Sequence, residues 1–209
     1  MKNTAPYIFL FFLLCICSSC RKTTDSDTLK DTKIAVPDSV AADAKAHSWM
    51  DDFRDFRTAV YQNNRAEQKK HFRFPLTDPE IWFLCQLTPA EQNKRKSTVK
   101  NPDYFYEADF DHCAAKLFAK SFVNCIQKIK TKELFEEGHY DTPEFDDAEG
   151  KYLMYATVDT TTEELVLNQS FLNGEDEDGN YVSEGEYNII YIFSISGDKL
   201  MLKRITMAG

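Results

Sequence analysis

Glycine and proline are scarce, seven of each in 209 residues, which excludes a collagen-like or low-complexity chain. The glycine patterns that cradle phosphates or seat a nucleophile are missing: there is no GxGxxG, GxxxxGK[ST] or GxSxG. Histidine is limited to His47, His71, His112 and His139, no two of them four residues apart, and neither HExxH nor CxxC occurs. No metal site and no cofactor are therefore expected. Positive charge is in deficit, with 25 Lys+Arg against 34 Asp+Glu and a net charge of -9. That balance argues against a nucleic-acid partner, whose phosphates need clustered cations. Long apolar runs are missing too. Tyr7–Cys17 spans eleven residues, short of the about 20 that a membrane-spanning helix needs.

What is present is aromatic and apolar. Hydrophobic residues make up 43%, with 16 Phe and 10 Tyr, enough to exclude a wholly disordered chain. The apolar run follows Lys2 and precedes Ser18-Ser19-Cys20, the layout of an export signal. Small residues before a cysteine resemble a bacterial lipobox, which implies cleavage after residue 19 and lipid on Cys20. Cys17 departs from the Leu or Val usual three residues before the modified cysteine. Residues 21–46 contain no aromatic and balance five basic against five acidic side chains. Such a stretch buries too little apolar surface to offset chain entropy. The expected organisation is a signal peptide over 1–19, a lipidated cysteine and flexible tether over 20–46, and one domain over 47–209.

Within that domain the hydrophobic period is helical first. Ser48 is a candidate N-cap with Asp51 three residues on, and Trp49, Phe53, Phe56 and Val60 share one helix face. Asn63-Asn64 should end this helix and Arg65–His71 form a short second one. Thr77–Pro102 is irregular, with Lys94, Arg95, Lys96 and Lys100 predicted as a basic loop and Tyr104-Phe105 as a short strand. Phe110–Ile129 is helical with a break near Lys120-Ser121, and Gly138 closes a last turn. After Gly138 the period drops to two. Alternation over 152–158, 165–171, 187–195 and 201–207 predicts four antiparallel strands, and Ser196-Gly197-Asp198-Lys199 a tight hairpin. The fold class is α+β, with helices packed on a curved antiparallel sheet of four or more strands.

The segments FRDFRTAVYQNN and HFRFPL (within Phe53–Leu76), KIKTKELFEEG and YNIIYIF resemble NTF2-like (cystatin-like α+β) lipoproteins of Bacteroidetes. The likeness covers about Ser48 to Gly209 and rests on structural motifs. It implies a pocket or a contact surface, not a reaction. The candidate pocket is aromatic: Trp49, Phe53 and Phe56 from the helices with Tyr187, Tyr191 and Phe193 from a strand. Plain core is the heavier alternative for all six. Cys85, Cys113 and Cys125 remain after Cys20. Buried unpaired thiols are expected, with a bridge from Cys85 as the alternative. Asp111-His112 is a weak candidate for an acid/base dyad, since sequence neighbours on a helix diverge. Glu175–Asp178 reads as a solvated acidic loop, because a calcium loop from Asp176 would place Tyr181 and Tyr187 where Gly and Glu belong.

Together these features predict a lipid-anchored protein of the bacterial cell envelope, on the periplasmic or the surface side. Its domain should bind a small ligand or an envelope protein without catalysis. The rivals are an enzyme with an unrecognised acid/base pair and a structural assembly subunit. Charge divides unevenly: residues 47–132 carry 15 basic and 11 acidic side chains, residues 133–209 carry 4 and 18.

Overall fold

The computed structural model describes residues 48–174 and 178–209. The expected signal peptide, Cys20, the expected tether and Glu175–Glu177 lie outside the described residues. Among the described residues seven helices precede six strands: α1 (Trp49–Tyr61), α2 (Arg65–Lys69), α3 (Ile81–Cys85), α4 (Pro89–Thr98), α5 (Glu107–Leu117), α6 (Lys120–Lys128), α7 (Thr131–Glu137), then β1 (His139–Asp141), β2 (Phe145–Asp147), β3 (Gly150–Asp159), β4 (Glu164–Leu172), β5 (Tyr187–Ser196) and β6 (Lys199–Ala208). The α+β class holds. The sheet is antiparallel throughout and runs β1-β3-β4-β5-β6, with β2 beside β1 on the same edge of β3. Among the described residues no helix is long and apolar enough to cross a membrane.

Local chemistry sets the helix ends. Ser48 and Asp51 form a reciprocal capping box at the start of α1. Asn63 takes a left-handed φ of 54° and Asn64 caps α2, so the predicted break falls there. The break between α5 and α6 is at Phe118-Ala119: Phe118 (φ -120°, ψ 63°) leaves the helical region and Ala119 is extended. The expected basic loop is instead helix α4. Thr88 and Glu91 make a second capping box and Pro89 occupies its first turn, where a missing N–H costs nothing. Tyr104-Phe105 forms no strand; Phe105 makes a single bridge to Leu76.

One face of the sheet carries the core. Tyr152, Met154, Leu165, Leu167, Tyr191 and Phe193 are buried there beneath Phe53, Phe56, Phe122 and Ile126. Phe56 meets Phe193 edge-on at 5.2 Å and Phe122 meets Tyr191 at 4.4 Å between ring centroids. Burying each such side chain is worth about 1.5–3 kcal/mol. Tyr191 also donates to the Leu117 carbonyl at 2.8 Å, satisfying an end carbonyl of α5 that water cannot reach. In β6 the simple alternation of 201, 203, 205 and 207 fails. A bulge opposite Ile192/Phe193 inserts Lys203, so Leu200 and Leu202 face the core before it and Ile205 after it.

Asp52 fastens α1 to this sheet. Its carboxylate accepts from the Leu200 N–H at 2.8 Å and from Lys199 Nζ at 3.2 Å, and lies 3.4 Å from His71 Nδ1. His71 packs on Phe56, and its backbone carbonyl accepts from the Leu202 N–H at 2.7 Å. Both side chains are buried. Burial holds the His71 pKa below its ordinary 6.5, and Asp52 only partly offsets this. The unfolded chain therefore takes up a proton near pH 6.5 that the folded chain refuses until lower pH. Stability should fall as pH drops through 6.5 toward the folded value. Urea midpoints at about pH 7.5 and 5.5, above the carboxylate range, should differ in wild type and differ less in His71→Gln. Equal pH slopes in the two proteins would refute this role.

Candidate functional site

The three helices α3, α4 and α5 enclose a groove. Gln86 ends α3 with a left-handed φ of 50°, and Lys116 Nζ donates to the Cys85 carbonyl at 2.5 Å. Cys85 and Cys113 are joined as a disulfide, their Cα atoms 5.0 Å apart, which ties α3 to α5. The expectation of unpaired thiols is thus corrected for this pair. Its reason is that Cys113 and Cys85 face each other across packed helices, a relation no spacing displays. Cys125 is the free thiol among the described residues, and burial pushes its pKa up to about 12, so it is inert as a nucleophile.

Helix α4 buries none of its residues. Arg95 attaches it. The guanidinium lies 4.3 Å from the Trp82 ring centroid and 5.6 Å from that of Tyr106. Nε donates to the Pro102 carbonyl at 2.9 Å, and the terminal nitrogens donate to the Tyr104 carbonyl and to the Asp109 carboxylate. Trp82 is in turn fixed by its Nε1–H donating to the Asp103 carbonyl at 2.9 Å. Arg95 uses both recognition modes of a guanidinium, stacking on aromatics and a planar fork of donors.

Two hollows flank this stack and share Trp82, Leu87 and Arg95 in their walls. The larger, of about 400 Å³, has an apolar floor extended by Val99 and Ala108, with Lys94, Glu91 and His112 at its rim. The smaller, of about 230 Å³, adds Pro79, Pro102 and Lys96. A third depression of about 610 Å³ along α2 is wider but more open, and both of its lysines are ion-paired, Lys69 with Asp111 and Lys70 with Glu67. The α4–α5 groove is the better-formed site, apolar below and polar above.

The aromatic residues expected to line a pocket lie elsewhere. Phe53, Phe56, Tyr191 and Phe193 are fully buried against one another and their helices, as core. Trp49 packs on Phe135 at 6.2 Å and Tyr187 stacks on Phe171 at 4.5 Å, so the structure does not bring these two into a common cavity with the other four. None of the six lines either hollow. Asp111 and His112 diverge: Asp111 turns to Lys69 and His112 to Glu91, at 3.6 Å. The groove was missed because α4 has no apolar face to give it a period. The signal that could have found it is Thr88-Pro89 followed by Glu91, a helix start that removes Lys94–Lys96 from any loop. No protein-family model matches the chain, and neither curated proteins nor solved structures yield a match.

Because Arg95 supplies most of what holds α4, Arg95→Ala should loosen that helix while sparing the core. Amide exchange at residues 90–98 should accelerate by at least about tenfold, with little change in the core strands. Uniform acceleration, or none at α4, would contradict the attachment described.

Proposed function

We propose that this chain is a lipid-anchored cell-envelope protein whose NTF2-like domain is a non-catalytic binding module, with the α4–α5 groove as its site. Cys20 carries the lipid, residues 20–46 tether the domain, and a membrane is its constant partner. The observation that carries the binding reading is the groove itself. It offers an apolar floor of useful size beneath a helix held mainly by Arg95, so a ligand can enter without disturbing the core. Helices followed by an antiparallel meander are the order the NTF2-like resemblance calls for. The Cys85–Cys113 disulfide supports export, since such bonds persist in oxidising compartments. The buried Asp52–His71 pair does not favour an enzyme: it borders none of the hollows described and its hydrogen bonds serve β6.

Two experiments test the two halves of the proposal. Cells fed a labelled fatty acid should label wild type and not Cys20→Ala; equal labelling would overturn the anchor. For the groove, the full chain in nonionic detergent carries Trp49→Phe, leaving Trp82 as its one tryptophan. The neutral probe 4-phenylbutyramide should quench Trp82 emission saturably, and Ala108→Phe, which fills the floor, should abolish that quench. An absent quench, or one indifferent to Ala108→Phe, would remove the groove as a site.

A further inference from the structure

The polar rim of the larger hollow narrows the kind of ligand it can take. Each acidic group there has partners within the protein. Asp109 is held by Arg95 and accepts from the Tyr106 N–H at 2.7 Å. Glu91 accepts from the Thr88 N–H and hydroxyl at 2.8 and 2.7 Å and faces His112; those hydrogen bonds hold its pKa below the usual carboxylate value. Each nitrogen of the Arg95 guanidinium already donates, to two carbonyls and a carboxylate, and its side chain is only 10% exposed. It is committed to the wall, held by Asp109 and stacked on Trp82. Lys94 differs. It borders the same hollow, it is exposed, and it forms no ion pair among the described residues.

The groove thus combines an apolar floor of Trp82, Leu87, Val99 and Ala108 with one uncommitted cation at its rim. We infer that the hollow between α4 and α5 binds an amphipathic carboxylate, its aryl or acyl body over Trp82 and its anionic end on Lys94. This rests on the groove being a binding site. The anion belongs here and not in the smaller hollow, whose wall carries, besides Lys96, the Asp103 carboxylate, which forms no ion pair among the described residues and repels an anion. An ammonium on a flexible stem suits a single carboxylate reached from several poses, where a rigid fork would demand one. A volume of about 400 Å³ falls at the lower end of small-molecule pockets, which fits a ligand with one ring or a short chain.

The test compares 4-phenylbutyrate with 4-phenylbutyramide, equal in shape and different in charge, by Trp82 emission of the full chain in the Trp49→Phe background at low salt. The carboxylate should bind about fivefold tighter than the amide, the weight of one partly exposed ion pair. Lys94→Gln should erase that preference and leave the amide's affinity unchanged. Lys100→Gln, which removes an equal charge outside the hollow, should preserve it. A carboxylate no tighter than the amide, or a preference that survives Lys94→Gln or is lost equally with Lys100→Gln, would overturn the inference while the amide's binding keeps the groove as a site. Failure of both probes would overturn both readings. Thermal unfolding of each variant confirms that it is folded, because both lysines are exposed and their replacement leaves no buried group unpaired.

Discussion

The Asp52 carboxylate is the constraint on which the arrangement of helices and sheet depends. It stands in the first turn of α1 and reaches the Leu200 N–H, 148 residues away. A buried carboxylate without partners would be costly, so once α1 folds its first turn must find the β5–β6 hairpin. His71 joins the same junction and brings the segment after α2 alongside β6, where Phe72 bridges Leu202 in parallel. That segment shields part of the β6 edge, and Glu80 covers more of it by accepting from the Met207 N–H at 3.2 Å and from the Thr206 hydroxyl. On the opposite side β1 and β2 occupy the edge of β3. A second side chain does comparable work at the other end of α1. Arg57 donates to the Ile129 carbonyl at 2.7 Å and the Gln127 carbonyl at 3.2 Å, placing a cation at the end of α6.

Where burial writes a period, the fold was legible in the sequence. The α1 face of Phe53, Phe56 and Val60 and the β5 face of Ile189, Tyr191 and Phe193 are buried as their spacing requires. Gly138, with φ of 75°, ends α7 where a left-handed residue was expected. Two kinds of element escaped. The three-residue strands β1 and β2 are too short to alternate visibly, and they pair only because β3 is long enough to seat both. In β6 the bulge at Lys203 changes the phase midway, so neither parity fits the whole strand. A period-two count detects a strand and not the place where its phase slips.

The site was less legible, for a related reason. Phe53, Phe56, Tyr191 and Phe193 stand out in the sequence by their size, and they are large because the core needs filling. The groove is made by residues that fill nothing. Its wall depends on Arg95 meeting Trp82 from thirteen residues away and on a disulfide that crosses from α3 to α5. Both relations are tertiary, and hydropathy carries no trace of either.

The same contacts explain why a groove exists there. A helix with an apolar face would settle on the body, and side chains would occupy the space beneath it. Helix α4 has no such face, so it cannot collapse inward, and its capping box keeps it helical without help from packing. The Arg95 guanidinium, stacked on Trp82 and bonded to Pro102, Tyr104 and Asp109, acts as a strut that sets the stand-off. The hollows on either side of the strut are the volume that packing would otherwise have filled. The disulfide beneath makes the floor rigid, which lets the roof be lightly held without the cavity closing. With a rigid floor and a roof held mainly by Arg95, α4 can shift its ten residues without moving any part of the core.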